Sequence, residues 1–302
     1  MFKHILVPLD GSELAEQALP TAVSLAEKRG IELTIVQVVA PPVGIVSDGA
    51  GYEMVWSVET ATAAVREAER YLLNVAERWS PGASRWSTVV VEGDEAGGIV
   101  DTAVAEGCDL IIMSTHGRSG LSRWVLGSVA EKVLRAAPCP VLVNRTPTPI
   151  RQVLIPLDGS SLAEQALAPG LFVANEMGAG VHFLQSVEAV PTYTAEMMAL
   201  EFAEPGLTHN VTAGMMATAR NYLTQLGQRY PDKKIDTIVL AGRAPEAILQ
   251  VAAEASIDLI VMATHGRTGL ARWVYGSVTE KVLRRASCDL LVVRPPMAQL
   301  KE

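Results

Sequence analysis

Apolar residues along the chain fall in short runs, and longer segments that mix apolar with charged residues separate these runs. A strand buried on both faces reads as a continuous apolar run, so the pattern predicts strands that alternate with helices. The strands predicted in the first half are Ile5–Pro8, Glu32–Val39, Ser87–Glu92, Leu110–Ile112 and Pro140–Val143. Those predicted in the second half are Val153–Pro156, Val181–Val187, Ile235–Ala241, Leu259–Val261 and Leu290–Val293. This order predicts an α/β fold, with a parallel sheet and helices on both of its faces in each half.

The segments between the strands carry helix signals. We expect Ser12 in the first half and Ser161 in the second to cap the helix that follows the first strand. Pro20 and Pro169 lie within those helices and should kink them, because proline cannot donate the main-chain hydrogen bond. The other predicted features are polar helices at about Glu59–Arg78 and Thr212–Arg229, each after an irregular stretch, Ala40 to Ser57 and Glu188 to Asn210.

The two halves are copies of one sequence. Met113–Arg135 reads MSTHGRSGLSRWVLGSVAEKVLR and Met262–Arg284 reads MATHGRTGLARWVYGSVTEKVLR, with 18 of 23 positions identical. His4–Ala18 and Gln152–Ala166 share the core PLDGS in the same way. The chain is therefore predicted to be a tandem duplication, with domains at 1–146 and 150–302. The linker Asn144–Arg151 contains two prolines, which favour an extended and semi-rigid connection.

Composition limits the possible functions. The 302 residues suit two ordinary domains, and the net charge of −8 argues against general nucleic-acid binding. No run of about 18 apolar residues predicts a membrane span, and the N-terminal segment reaches Asp10 too early for a signal peptide. The three cysteines form no CxxC pair, and their odd number argues against a disulfide framework. We therefore expect the reducing cytoplasm as the compartment.

Each copy of the repeated stretch contains a glycine loop between a strand and a helix. Main-chain N–H groups at a helix N-terminus, together with the helix dipole, favour an anion. The N–H groups at Gly117–Arg118 and Gly127–Val129 would then hold phosphates, and the Ser128 hydroxyl would bind a terminal phosphate. The alternative is a glycine turn followed by an ordinary serine cap, and the residues alone leave it open. The equivalent residues of the second half are Gly266, Arg267, Gly276, Ser277 and Val278.

Asp10 and Asp158 follow the first strand of their halves, and the carboxyl ends of parallel strands meet at one edge of a sheet. Their carboxylates would accept hydrogen bonds from ribose hydroxyls or a base, although an aspartate before glycine also forms turns. Several motifs are absent from the sequence, namely GxxxxGK[ST], a GxGxxG after the first strand, and GxSxG. Their absence argues against a Walker-type NTPase, a dinucleotide fold and a serine nucleophile. No histidines, cysteines or carboxylates occur at the spacing of metal ligands, so we predict no structural zinc.

The chain resembles a tandem universal stress protein over almost its whole length. The residues that carry the resemblance are VPLDGS near the start and the late loop of the form G-x2-G-x9-G-[ST]. Ser114 and Ala263 replace the first glycine of that loop in the two halves. The resemblance implies two five-stranded parallel sheets with helices on both faces, a fold like that of the adenine nucleotide alpha hydrolases.

The resemblance also implies a nucleotide site, because the ATP-binding branch of the family uses this loop for phosphates. Asp10 would lie near ribose and adenine, Val38 beside adenine, and Met113 would close the pocket. The residues implied for the first half are Pro8, Asp10, Val38, Met113, Ser114, His116, Gly117, Arg118, Gly127, Ser128 and Val129. Those implied for the second half are Pro156, Asp158, Ser186, Met262, Ala263, His265, Gly266, Arg267, Gly276, Ser277 and Val278.

Three functional hypotheses follow from the sequence and the resemblance. The first is a regulator in the stress response that binds ATP, with or without Mg²⁺. The second is a weak ATPase, since no positioned base or nucleophile predicts a fast enzyme. The third is a nucleotide-free scaffold of the same fold.

The resemblance also bears on assembly, because the family commonly dimerises through the final strand of each domain. Here that implies an internal pseudo-dimer of the two domains through Pro140–Val143 and Leu290–Val293, with pairing of whole chains left open. Pairing would cover two apolar strand edges. Neither a nucleic acid nor a membrane is expected as a partner.

Overall fold

The chain divides into two compact units, Met1–Pro147 and Thr148–Glu302. In each unit the first strand lies at the centre of a parallel sheet. The coordinates are a computed structural model. It describes residues 2–40, 44–47, 52–55, 58–79, 85–114, 126–188, 198, 202–203, 206–264 and 276–294. No helix in these ranges is both long enough and apolar enough to cross a membrane.

The first unit alternates strands and helices, as its apolar pattern predicts. Its strands are β1 His4–Pro8, β2 Glu32–Val39, β3 Gly44–Ser47, β4 Tyr52–Val55, β5 Trp86–Glu92, β6 Leu110–Ser114 and β7 Val141–Asn144. Its helices are α1 Glu13–Glu16, α2 Leu19–Arg29, α3 Val58–Trp79, α4 Glu95–Ala105 and α5 Ser128–Ala136.

The first sheet has five parallel strands in the order β7-β6-β1-β2-β5. Strand β1 pairs with β2 from His4 opposite Glu32 to Pro8 opposite Val36. From β1 the chain first builds the sheet outward through β2 to β5, and it then returns to add β6 and β7 on the other side. The order of the strands therefore reverses between β1 and β6, which is where parallel α/β sheets open a crevice at their carboxyl ends.

The second unit repeats this arrangement. Its strands are β8 Gln152–Pro156, β9 Gly180–Val187, β10 Ile235–Ala241, β11 Leu259–Ala263 and β12 Asp289–Val293. Its helices are α6 Ser161–Glu164, α7 Leu167–Met177, α8 Leu207–Gln228, α9 Ala244–Glu254 and α10 Ser277–Arg285. The sheet order is β12-β11-β8-β9-β10, and all of its pairs are parallel. The predicted α/β fold with two tandem five-stranded parallel sheets is confirmed.

An aspartate at the amino edge braces the first strand of each sheet. The Asp109 carboxylate accepts hydrogen bonds from the main-chain N–H of Lys3 at 2.8 Å and of His4 at 3.1 Å. Asp258 accepts the equivalent bonds from Arg151 at 2.8 Å and Gln152 at 2.9 Å. These carboxylates lie at the end of the sheet opposite the crevice, so their role is structural.

The predicted cap of the second unit is wrong. Ser12 caps α1, and its hydroxyl accepts a hydrogen bond from the N–H of Ala15 at 3.1 Å. The cap of α6 is Ser160, which accepts from Ala163 at 3.1 Å, whereas Ser161 is the first residue of the helix. The prediction chose the later of two adjacent serines, although Ser160 is the one that follows Asp-Gly as Ser12 does.

Two other elements differ from the sequence pattern. The helix expected to kink at Pro20 is instead two helices, α1 and α2, joined at Gln17 and Ala18, with Pro20 in the first turn of α2. Proline has no N–H to continue the ladder of α1, and its fixed φ suits a helix start. The stretch between Ala40 and Ser57, which was expected to be irregular, contains the antiparallel pair β3 and β4.

Candidate functional site

A cavity of about 670 Å³ opens at the carboxyl edge of the first sheet. This volume lies within the range of small-molecule sites. Eight of the residues predicted from the sequence line it, namely Pro8, Asp10, Val38, Met113, Ser114, Gly127, Ser128 and Val129. The other three residues predicted for this half, His116, Gly117 and Arg118, lie outside the described residues. Strand ends and one helix start, which are far apart in sequence, therefore surround one space.

The start of α5 contributes main-chain donors to this cavity. Gly127 precedes the helix and gives no side-chain cap, and the first helical hydrogen bond runs from Glu131 N–H to the Gly127 carbonyl at 2.9 Å. The N–H groups before Glu131 therefore have no acceptor within the helix. By contrast, the Asp94 carboxylate caps α4 by accepting from Gly97 N–H at 2.9 Å. Helix α5 begins with a glycine that lines the cavity, so an anion can approach its N-terminus closely.

Asp10 has a turn-forming contact as well as a place in the cavity wall. Its Oδ1 accepts hydrogen bonds from the N–H of Ser12 at 3.0 Å and from the Ser12 hydroxyl at 2.6 Å. Gly11 between them has a φ of 84°, a left-handed conformation that glycine adopts without strain. The Asp-Gly-Ser turn thus fixes the carboxylate at the end of β1 while Ser12 starts α1. Both interpretations offered by the sequence, turn former and ligand contact, are compatible with this position.

Helix α3 supplies a wall of the cavity that the sequence did not predict. The residues that line it from this helix are Ala64, Glu67, Ala68 and Tyr71. The Tyr71 hydroxyl donates to Glu16 Oε1 at 3.0 Å, and the Arg78 guanidinium donates to both Glu16 oxygens at 3.0 and 3.1 Å. This cluster ties α3 to α1 and so fixes the position of the wall.

The same three-residue cluster occurs in the second unit. Tyr222 donates to Glu164 Oε1 at 3.0 Å, and Arg229 donates to Glu164 Oε2 at 3.2 Å. The sequence signal was a tyrosine and an arginine seven positions apart on the polar helix of both halves, after a glutamate on the first helix. Burial raises the pKa of Tyr71 above its ordinary value, and the hydrogen bond to Glu16 raises it further. Tyr222 has a raised pKa for the same two reasons.

We predict that Tyr71→Phe lowers the free energy of unfolding of the first domain by about 1–2 kcal/mol, because a hydrogen bond to a carboxylate is lost. Because the pKa of Tyr71 is raised in the folded domain, the stability of that domain should depend on pH. The stabilisation is complete below the ordinary tyrosine pKa of about 10 and is lost as the pH rises above it, because the unfolded chain ionises first. Urea unfolding between pH 8 and pH 11, followed by tryptophan fluorescence, should therefore show a steeper alkaline loss in the wild type than in the variant.

The matched control for this prediction is Tyr222→Phe. Four of the five tryptophans lie within residues 1–147, so the fluorescence reports mainly on the first domain. Tyr222→Phe should leave that signal unchanged and should alter only the unfolding of the second domain. Equal stability of wild type and Tyr71→Phe at pH 8 would show that the hydroxyl does not brace the wall.

The described residues predicted for the second site occupy equivalent positions in their sheet. Pro156 ends β8 opposite Leu184, as Pro8 ends β1 opposite Val36. Gly276 precedes α10 without a side-chain cap, and Glu280 N–H bonds its carbonyl at 3.0 Å. The other predicted residues of this half lie at strand ends or at the start of α10, namely Asp158, Ser186, Met262, Ala263, Ser277 and Val278. His265, Gly266 and Arg267 lie outside the described residues.

The thiols of the chain are buried and unbridged. No disulfide joins Cys108, Cys139 or Cys288 to another cysteine. Burial raises the pKa of the Cys108 thiol to about 12, so this group stays protonated and unreactive near neutral pH. Within the described ranges, no three side chains of histidine, cysteine, aspartate or glutamate are grouped so as to hold a metal ion.

Known proteins resemble this chain over both halves. The model of the universal stress protein family matches residues 1–145 and again residues 149–294. A universal stress protein of Mycobacterium tuberculosis is 28% identical over 304 residues, which cover 96% of this chain and 96% of its own. A universal stress protein of Methanocaldococcus jannaschii is 36% identical over 149 residues, or 49% of this chain and 84% of its own. The crystal structure of a universal stress protein from Archaeoglobus fulgidus superposes on this chain with a TM-score of 0.69 at 21% identity. The match covers 97% of this chain and 99% of the other, and it shows the same fold.

The family match agrees with the internal repeat and with the two equivalent sheets. Each match spans one complete set of five parallel strands together with the helices that cover them. Both copies of the VPLDGS-type turn and both glycine-started helices fall within the matched ranges. The chain therefore belongs to the universal stress protein family and carries two of its domains in tandem.

Proposed function

We propose that this chain binds an adenine nucleotide, ATP, at the carboxyl edge of each sheet and serves as a nucleotide-dependent regulator in a stress response. One observation carries the proposal. The cavity of the first domain brings the Asp10 carboxylate and the uncapped start of α5 to the same space. A nucleotide has anionic phosphates at one end and hydroxyl and amine donors at the other, which matches this pair of groups.

The lining residues support a specific orientation. The phosphates would lie at the main-chain N–H groups of Gly127–Val129, with the Ser128 hydroxyl at the last phosphate. The ribose would lie against Asp10, and the base between Val38 and Met113, since Met113 is buried in the wall with only 5% exposed. His116, Gly117 and Arg118 are proposed to complete the phosphate loop. The second domain would use its own set of equivalent residues, of which Pro156 is the first and Val278 the last.

The proposal also covers the compartment and the assembly of the chain. The three cysteines form no disulfide, which favours a reducing compartment, and we propose the cytoplasm. Pairing of the two domains through their final strands stays a prediction from sequence, as does any homodimer of chains. Calorimetric titration of the chain with ATP, with and without Mg²⁺, tests the function and identifies which form of the nucleotide binds. Mass spectrometry of small molecules released from denatured protein would show whether nucleotide copurifies.

We predict that Asp10→Ala weakens ATP binding at the first site by about 1–3 kcal/mol, because hydrogen bonds from buried ribose or base donors lose their acceptor. The substitution also removes the acceptor for Ser12, so the turn must be tested separately. Asp10→Asn keeps an oxygen for the Ser12 N–H and should preserve the turn while it removes the charge. Calorimetry on the full chain measures the affinity, and circular dichroism checks that each variant is folded.

Asp158→Ala provides the matched control in the second domain. Its Oδ1 accepts from the N–H of Ser160 at 2.9 Å, so the turn is the same. This variant should weaken the other site and leave the first unchanged. If ATP affinity hardly moves in either alanine variant, both aspartates are turn residues and the proposed contact with the nucleoside is wrong.

A further inference from the structure

One buried polar side chain at the cavity has no explanation within the described fold. Gln37 lies on β2, where its immediate neighbour Val36 is fully buried, and only 9% of Gln37 itself is exposed. Its Oε1 is closed off from solvent and accepts no hydrogen bond within the described residues. A buried carbonyl oxygen without a donor destabilises the fold, and an apolar residue of similar volume would avoid this cost. Gln37 nevertheless lines the cavity.

The same residue occurs at the same place in the second domain. Gln185 on β9 is one position beyond Leu184, the partner of Pro156, just as Gln37 is one position beyond the partner of Pro8. The Oε1 of Gln185 is also buried without a donor within the described ranges. Residues 33–39 read LTIVQVV and residues 181–187 read VHFLQSV, so five of seven positions differ while the glutamine is identical. Most of the side chains around this position differ between the two strands, whereas the glutamine is the same.

The position of Gln37 separates it from the proposed phosphate end of the site. Strand β1 lies between β2, which carries Gln37, and β6, after which α5 is the next described helix in the chain. Gln37 is therefore on the side of β1 away from the start of α5. We propose that the Gln37 amide, and Gln185 in the second domain, hydrogen-bond the nucleoside part of the bound ligand and help to select it. This inference rests on the proposed nucleotide function.

The groups that line the cavity favour a ligand group that donates a hydrogen bond. The ionisable groups that line the cavity with Gln37 include the carboxyls of Asp10, Glu67 and Glu95, which accept hydrogen bonds. The proton of Tyr71 is already donated to Glu16. The terminal torsion of glutamine is broad and roughly two-fold, so a rotation can turn Oε1 toward the cavity. Phosphate oxygens cannot satisfy that acceptor, whereas a ribose hydroxyl or an exocyclic base amine can.

The test is the double variant Gln37→Met/Gln185→Met in the full chain. Methionine has nearly the same volume, and removal of two unpartnered polar atoms should raise the melting temperature whether or not the amides contact ligand. The affinity for ligand then shows whether the amides contact the ligand or not. We expect adenosine and ATP each to bind about tenfold more weakly, with the ratio of the two affinities unchanged, because the phosphate contacts are intact. The control is Ile35→Met, on the same strand and face two positions earlier and outside the cavity lining, which should keep wild-type affinity.

Nucleotide analogues identify the donor. Wild-type protein should bind either 2′-deoxy-ATP or inosine triphosphate about tenfold more weakly than ATP, and the double variant should lose that discrimination. Wild-type affinity of the double variant for adenosine and ATP would overturn the inference and leave nucleotide binding standing. Unchanged discrimination against both analogues in the variant would overturn it as well. Absence of ATP binding by the wild-type chain would overturn the proposed function and this inference with it.

Discussion

Gly127→Val is expected to abolish ATP binding at the first site while the chain stays folded. Gly127 lines the cavity and directly precedes α5, so its substituent would occupy the space in which a phosphate must approach the helix N-terminus. An isopropyl group there keeps an anion from the N–H groups, and those donors act only at hydrogen-bond distance. We therefore expect a loss of at least about 3 kcal/mol, the sum of two or more charge-assisted hydrogen bonds.

The backbone should tolerate this change. Gly127 has φ −62° and ψ 150°, an extended conformation that valine adopts readily. Valine at this position therefore introduces no backbone strain. The effect should be steric and confined to the ligand, which makes the variant a clean probe of the site.

Calorimetry on the full chain should show that Gly127→Val removes one of two binding equivalents, and Gly276→Val the other. Gly214→Val is the matched control, because Gly214 is exposed on α8 and a Cβ at that position meets no atom within 4 Å. It should bind ATP as the wild type does. A folded Gly127→Val protein with unchanged affinity and stoichiometry would exclude the start of α5 from the site.

The sequence predicted the strands better than it predicted the connections between them. Strand β2 begins and ends where the apolar pattern placed it, because a strand buried on both faces leaves a continuous apolar signal. Strand β10 also has the predicted bounds, although none of its residues is fully buried. The paired strands β3 and β4 lie in a stretch rich in glycine and proline, which single-sequence patterns assign to loops. The cap of α6 was missed because two adjacent serines satisfy the same local rule.

The candidate site divides in the same way. Residues that lie at strand ends, such as Asp10 and Met113, could be predicted because parallel topology brings strand ends to one edge. Tyr71 could not, since its place depends on how α3 packs against α1, and its partner Glu16 is 55 residues away in sequence. Gln37 was overlooked because a lone polar residue in a strand pattern reads as a solvent-facing position. Its burial is a property of the packed domain.

Gly98→Ala is expected to destabilise the first domain by about 1–2 kcal/mol, although alanine favours a helix over glycine by about 1 kcal/mol. A Cβ on Gly98 of α4 would lie 2.9 Å from Cγ2 and 3.0 Å from Cγ1 of Val38, and 3.4 Å from Cγ1 of Val91. Val38 is β-branched and therefore stiff about χ1, so the contact cannot be relieved by a simple rotation. Overpacking of this kind typically costs about 1–3 kcal/mol, which outweighs the gain in helix propensity.

The second domain shows how the same contact can be rebuilt. Its residue equivalent to Gly98 is Ala247, which is buried, and its residue equivalent to Val38 is Ser186. The helix has gained a methyl group and the strand has lost two, so the volume at the interface is nearly kept. The position predicted to lie beside adenine has thereby changed from apolar to hydroxyl-bearing. The two sites are thus expected to differ in their contact with the base because of a paired change in packing.

This pairing predicts strong coupling between Gly98→Ala and Val38→Ser. Val38→Ser alone should cost about 1–2 kcal/mol through lost methyl burial. The double variant should be more stable than the sum of the single effects implies, by about 1–2 kcal/mol, because the serine leaves room for the new Cβ. Urea unfolding monitored by tryptophan fluorescence measures the cycle in the first domain. Additive effects of the two substitutions would mean that the helix and strand adjust independently, and Ala247 and Ser186 would then be unrelated changes.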